Sequence, residues 1–433
     1  MALAADTPKD SFRLSMLIYD TRFRAITIQV IVLILVLLGI GWLVNNTIEN
    51  LAAKDKDINF SFLFSRAGYD IDQQLIPYTN DSTHGRALVI GLLNTLVVAF
   101  FACIFATLIG VFAGVLRLSK NWLVGRLMTV YVEVFRNVPL LLWILLAFVI
   151  FSETMPEPKD FKTTQAMVDA GTTPAAQMIL FDSVAITNRG TNIPAPLLER
   201  PLGGTEAFGV PINFSVLATL LVIAGSIWVN YLVRRRAKAV QEDTGIRPVT
   251  WWKSLLILIA PTLALLIAMG FHLEVPAFPM GENGVSKGFN FVGGINVAHS
   301  FTALLIALSL YHGTYIAEAV RSGILAISRG QTEAAYALGL RPGRTMSLII
   351  LPQALRVIIP PLISQFLNIT KNTTLGVAIS YLDLKGTLGG ITLNQTGREL
   401  ECMLLMMLIY LILSLLISSG MNVYNTAVKL KER

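Results

Sequence analysis

The sequence predicts an all-α membrane protein of about eight transmembrane helices, and three observations carry that reading. Hydrophobic residues make up 54% of the 433 and charged residues only 14%, a balance suited to a bilayer and not to water. Eight apolar stretches approach or exceed the roughly 20 helical residues that a hydrocarbon core about 30 Å thick demands. Lys and Arg gather in alternate loops between those stretches, as transmembrane topology requires. The net charge of +7 therefore reports topology, and no basic polar face points to nucleic acid.

The stretches run 26–44, 87–116, 138–154, 213–233, 254–272, 299–320, 353–371 and 400–424. The first, from Ile26 to Val44, is too long for a cleaved signal and lacks a small-residue cleavage site, so a retained helix is expected. With the N-terminus inside, 21 Lys and Arg fall in cytoplasmic segments and 11 in the longer outside loops. That bias puts both termini in the cytoplasm. Trp251 and Trp252 beside Lys253 read as interfacial anchors. Loop 152–212 holds seven of the 18 prolines, shows weak periodicity, and reads as an irregular external insertion. Stretches four and five follow as a pair, and a pair leaves the side from which the next helix starts unchanged. A five-helix core of stretches two, three, six, seven and eight is therefore topologically possible.

The expected organisation has four parts. Residues 1–85 hold a cytoplasmic N-terminus, the first transmembrane helix and a periplasmic loop. Residues 86–150 form the first part of the core, and 151–298 an insertion with a periplasmic loop and two extra transmembrane helices. Residues 299–433 complete the core and carry a cytoplasmic loop.

Bond chemistry finds no foothold. Cys103 and Cys402 lie far apart in apolar segments, without a CxxC pair. His84, His272, His299 and His312 lack HExxH spacing, and no Gly-Lys pair exists to form a phosphate-binding loop. No metal or cofactor is expected on this chain, and any ATP would have to be handled by another.

The loop between stretches six and seven reads Gly330-Gln331-Thr332-Glu333-Ala334-Ala335-Tyr336-Ala337-Leu338-Gly339-Leu340-Arg341-Pro342-Gly343. Good helix formers from Glu333 to Leu338, then Gly339, Pro342 and Gly343, predict a short helix with a firm stop. Small Ala side chains allow close approach of another protein, and Glu333 can pair with a basic groove rim. Taken alone, Glu333-Ala334-Ala335 favours an ordinary Ala-rich loop helix. The spacing Glu333-Ala334-Ala335, Gly339, Ile349, Leu351-Pro352 decides between the readings, because it resembles the signature of ABC importer permeases.

That resemblance implies a type I importer fold in which this loop is the coupling helix. Glu333, Ala334, Ala335, Gly339, Leu351 and Pro352 would then couple the chain to an ATP-hydrolysing subunit. The blocks Tyr315 to Ile324, Leu351 to Arg356, Lys371 to Leu375 and Glu133 to Leu141 resemble the polar amino acid branch (histidine/glutamine type). The long N-terminal part and the insertion resemble the larger permeases of general L-amino-acid or glutamate/glutamine/aspartate/asparagine importers. The implied partners are a second related permease, two ATP-binding subunits carrying ATP and Mg, and a periplasmic amino-acid-binding protein at the bacterial inner membrane.

Polar residues in or beside apolar stretches are translocation-path candidates: Asn94, Thr95, His312, Tyr315, Glu318, Asn368, Lys371, Thr373 and Thr374. Each has a structural alternative. Lys371 can snorkel at a helix end, Glu318 can pair with Arg321 three residues on, Asn94 and Thr95 can bond between helices, and His312 can be a packed polar residue. Pro360-Pro361 is expected to interrupt its helix and free carbonyls toward a cavity. Arg136 and Pro139 are expected to set the entry angle of the third helix, with Glu133 as a local partner for Arg136. An ion-gradient-driven secondary transporter is the competing reading, but such folds carry intramembrane carboxylates and two similar halves, neither visible here.

Overall fold

The computed structural model describes residues 21–53, 57–207, 210–246, 248–281 and 283–428. The tail cations Lys9, Arg13, Lys429, Lys431 and Arg433, with Lys54, Lys56 and Arg247, entered the charge count and lie outside the described residues. The chain divides into Met1–Phe60 and Ser61–Arg433. Within the first unit, helix α1 (Thr21–Ala52) is apolar and exposed along its length. At 1.5 Å per residue it reaches about 48 Å, ample for a bilayer.

In the second unit Thr83 caps helix α2 (His84–Leu116) by accepting from the Arg86 N–H at 3.3 Å. Asn121 likewise caps α3 (Trp122–Asn137). Helix α4 (Leu140–Val149) follows and continues through Thr154 as a wider turn. The α3 and α4 limbs meet at 102°. The third apolar stretch, expected as one span over 138–154, is thus the second limb of a bent pair. The reason is local: Pro139 stands at the α4 N-cap and forces Val138 into extended backbone (φ −103°, ψ 133°). Phe135 and Trp143 stack across the bend with centroids 4.1 Å apart, fixing it.

The insertion is more ordered than its composition suggests. Strands β1 (Ala185–Thr187), β2 (Gly190–Ile193), β3 (Ala195–Leu198), β4 (Gly204–Ala207) and β5 (Val210–Asn213) lie in the loop expected to be irregular. Helices α5 (Phe214–Thr244) and α6 (Trp251–Ala268) follow, then β6 (Phe271–Glu274) and β7 (Ile295–Val297). All pairings are antiparallel: β1 to β2, β2 to β7, β3 to β6 and β4 to β5. Segments on both sides of the α5–α6 hairpin are thereby tied together. Strands of three or four residues, interrupted by Pro196 and Pro211, are too short to show a period of two. The chain leaves α4 and re-enters the bundle with the rings of Phe151 and His299 stacked at 5.5 Å.

The remaining helices of eight or more residues are α7 (His299–Leu325), α8 (Arg329–Ala337), α9 (Leu351–Asn372) and α10 (Glu399–Val428). Seven described helices are long and apolar enough to cross a membrane, or eight if the bent pair forms one span. The protein is thus the mostly helical membrane protein the sequence predicts. Helix α9 runs through Pro360 and Pro361 without interruption. The expected break is absent: the two prolines leave the Arg356 and Val357 carbonyls without their in-helix donors, yet the helix continues to Asn372.

The core sits between α2 and α7. Ala99, Ala102, Ala106, Gly110, Ala113 and Gly114 give α2 a small-residue stripe, against Ala303, Ala307, Gly313 and Ala317 on α7. Helices in lipid associate through such close backbone approach, because lipid gives no hydrophobic drive between them. The approach is tight enough that a Cβ on Gly110 would stand 2.6 Å from the Ile316 side chain.

Candidate functional site: a short loop helix and a polar seam

Helix α8 ends in a well-formed C-cap. Gly339 takes φ +72° and donates its N–H to the Tyr336 carbonyl at 2.9 Å, while the Leu340 N–H reaches the Ala335 carbonyl at 3.1 Å. These two bonds make a Schellman motif and satisfy carbonyls left over by the last turn. Glu333 and Ala334 are exposed, Tyr336 is 50% exposed and Leu338 80%. Ala335, expected to touch a partner, is buried at 1% exposure against its own chain. The exposed side of α8 and its cap therefore presents Glu333, Ala334, Tyr336 and Leu338, with Ala335 seated against the rest of the chain. Tyr336 and Leu338 were not singled out by sequence, although a Leu at the tip of a polar loop is itself a signal. After the loop, Leu351 and Pro352 open α9, where the Gln353 side chain donates to the Ile349 carbonyl at 3.0 Å.

The path candidates separate into three groups. Asn94 and Thr95 are buried, at 3% and 0% exposure. Asn94 Nδ2 donates to the carbonyls of Gln73 and Leu382, both at 2.9 Å, and Thr95 Oγ1 accepts from the Leu384 N–H at 3.1 Å. They pin α2 to the segment after α9 and do not line an open space. Thr373 belongs with them, fully buried and donating to the Thr370 carbonyl at 3.1 Å. Thr374 spends its hydroxyl on the Lys371 carbonyl at 2.8 Å.

His312 and Tyr315 form a seam between α7, α9 and α3. His312 Nδ1 lies 2.9 Å from Gln365 Oε1, and its Nε2 lies 3.1 Å from Asn372 Nδ2. With the amide donating, the consistent tautomer carries its proton on Nδ1, so both ring nitrogens are engaged. The Tyr315 hydroxyl is 3.1 Å from that of Tyr311, and the Arg136 guanidinium lies 5.0 Å from the Tyr315 ring centroid. The expected Glu133–Arg136 pair does not form among the described residues; the flat guanidinium finds the aromatic face instead. Glu318 receives Arg321 Nη2 at 2.7 Å and also Arg117 from the end of α2, bracing α2 against α7.

Asn368 and Lys371 are different. Both are exposed, and with Ser364 they fall at i, i+4 and i+7 on one side of α9. Polar groups and a cation on the outside of an apolar span demand water or another protein against them. A further polar centre, unread in the sequence, is Asp383. It is wholly buried, accepts from the Gly386 N–H at 2.9 Å and from the hydroxyls of Thr373 at 3.3 Å and Tyr410 at 3.4 Å. Burial pushes its carboxyl up to about 6, with these hydrogen bonds pulling the other way.

Residues 248–429 match the family described as the binding-protein-dependent transport system inner membrane component. Across the whole length the chain is 65% identical to the glutamate/glutamine/aspartate/asparagine transport system permease protein BztB of Rhodobacter capsulatus, covering 100% of both chains. This is an amino acid ABC transporter permease. The permease is also 38% identical to the general L-amino acid transport system permease protein AapQ of Rhizobium johnstonii, over 98% of its own length and 96% of that chain. A shorter relative, the probable glutamine ABC transporter permease protein GlnM of Bacillus subtilis, is 32% identical over 48% of the permease and 87% of itself. A transporter subunit of an inner membrane thus carries α8 and the α9 face.

Proposed function

We propose that the permease is one of two transmembrane subunits of an ATP-driven importer of polar L-amino acids. The observation that carries this reading is α8: a short helix closed at Gly339 that holds Glu333, Tyr336 and Leu338 out from the bundle. An exposed apolar tip beside a carboxylate suits insertion into a groove with a basic rim. In this reading α8 lies in the cytoplasm, as do both termini, and seats in one of two ATP-binding subunits, which bind ATP and Mg. Closure of those subunits pulls on α8 and, through Leu351 and Pro352, on α9, biasing the bundle between outward-open and inward-open states.

A second, related permease covers the α9 face of Ser364, Asn368 and Lys371, so that the amino acid passes between the two subunits. A periplasmic binding protein delivers it. The cargo assignment draws on the names of the 65% and 38% identical relatives and on Lys371, whose ammonium is complementary to a carboxylate-bearing solute.

The test is uptake of labelled glutamate and glutamine by proteoliposomes containing the complete complex. Uptake stops on ATP depletion with ion gradients held, and Glu333→Arg lowers ATP-dependent uptake at least about tenfold, a loss of roughly 1.4 kcal/mol of coupling. Uptake that persists without ATP would establish a secondary transporter. ATP hydrolysis by the isolated permease would remove the need for the partner.

A further inference from the structure

Helix α5 outruns the bilayer. Its 31 residues reach about 46 Å, yet no charged residue occurs between Phe214 and Val233. Those first 20 positions match the hydrocarbon thickness, and Arg234, Arg235, Arg236 and Lys238 arrive together at its edge. Helix α6 starts at the same level with Trp251 and Trp252, 71% and 46% exposed, and Lys253, whose ammonium lies 5.4 Å from the Trp252 ring. Aromatic rings and cations at one depth mark the headgroup region.

Between these two helix ends is a pocket of about 530 Å³ lined by Arg234, Lys238, Gln241, Pro248, Thr250 and Trp251. Arg234 is aimed across the hairpin by a 3.4 Å bond from Nε to Ser254 Oγ, which leaves its terminal nitrogens uncommitted to that bond. Lys238 shares a long 3.7 Å ion pair with Glu242. Among the described residues neither Arg234, Arg235, Arg236 nor Lys253 has a carboxylate within ion-pair distance. The lining thus offers guanidinium, ammonium, amide and hydroxyl donors around one recess, with an indole at its membrane side. Arginine's fork fits phosphate oxygens in particular.

We propose that this pocket binds the phosphate of an anionic phospholipid, whose acyl chains lie along the lipid-exposed sides of α5 and α6. The ligand chemistry is a phosphate oxyanion, and the depth of the pocket favours a lipid over the free ion. Such a site lies outside the coupling helix and the α9 face, and it gives the α5–α6 hairpin a role as a lipid-reading attachment to the transport core.

The test uses the full chain in detergent, with bound lipid quantified by native mass spectrometry. The probes are phosphatidylglycerol, phosphatidylcholine and inorganic phosphate. The wild type retains phosphatidylglycerol in preference to phosphatidylcholine, and millimolar phosphate does not displace it. Arg234→Gln with Lys238→Gln lowers phosphatidylglycerol affinity about 30-fold, since each interfacial cation contributes about fivefold. Arg234→Lys with Lys238→Arg keeps most of the affinity, which separates lost charge from a misfolded hairpin. Lys120→Gln with Arg126→Gln, removing two cations elsewhere, leaves affinity within about twofold. Equal retention of the two lipids, equal loss in both double Gln variants, or full displacement by inorganic phosphate would each overturn the lipid assignment.

Discussion

Gly339 shows how one residue can hold a short loop helix in place. A Cβ added there meets nothing within 4 Å, so the demand for glycine comes wholly from its φ of +72°. Gly339→Ala therefore costs about 1–2 kcal/mol of local stability through the left-handed backbone alone. Amide exchange across 333–340 is expected to accelerate about 5- to 30-fold while the helices of the bundle keep their protection. Asp383 makes a different prediction. A folded-state carboxyl raised to about 6, against an ordinary value near 3.9, binds its proton more tightly folded than unfolded. Its contribution is fully present below about pH 4 and is lost as pH rises through about 6. Asp383→Asn keeps an acceptor for Gly386 and removes the titration, so its unfolding midpoint gains on the wild type between pH 4 and 6. A gap between the two midpoints that does not change over that window would refute this. Glu333 was legible because its neighbours stand at fixed spacing in a charged loop. Asp383 was not, since the hydroxyls that reach it, those of Thr373 and Tyr410, come from the end of α9 and from α10.

At the scale of elements, the long apolar helices could be read directly because hydrocarbon thickness imposes their length. The features that escaped are those decided by geometry between neighbours. The 102° bend follows from one pre-proline residue at the first position of the stretch 138–154, whose preceding limb, Trp122–Asn137, was not read as part of a span. The strands escaped because each has only three or four residues, and two of their pairings, β2 with β7 and β3 with β6, reach across two intervening helices. Neither the small-residue stripe on α2 nor its partner on α7 was read from the sequence, because what defines them is their contact with each other. That stripe predicts a sharp contrast. Gly110→Val drives a branched side chain into Ile316 and is expected to cost about 1–3 kcal/mol by overpacking. Gly225→Val on α5, where a Cβ meets nothing within 4 Å, leaves the thermal midpoint of the detergent-solubilised permease essentially unchanged.

For the whole molecule, the sorting of the path candidates matters most. Buried Asn94, Thr95 and Thr373 hold the bundle, His312 and Glu318 latch α7 to its neighbours, and Asn368 with Lys371 face outward. Sequence could nominate all of them as polar residues near apolar runs, but only packing tells a satisfied hydrogen bond from an exposed face. If that face lines the path, Lys371→Gln reduces glutamate uptake by the complex at least about fivefold while changing glutamine uptake less than about twofold. A fivefold effect is near 1 kcal/mol, an ordinary size for one partly solvated charge contact. Equal effects on both amino acids would refute the steering role.

The stacked rings of Phe151 and His299 have an architectural consequence. Where the chain departs for residues 152–298 and where it comes back are neighbours in space, so the bundle is geometrically closed without the intervening segment. Closing a chain over a short gap needs only a few residues, and lengthening such an excursion adds little entropy because its cost grows only logarithmically. A permease in which a short linker replaces residues 152–298 is therefore expected to keep its bundle folded, which the thermal midpoint of the detergent-solubilised variant would check.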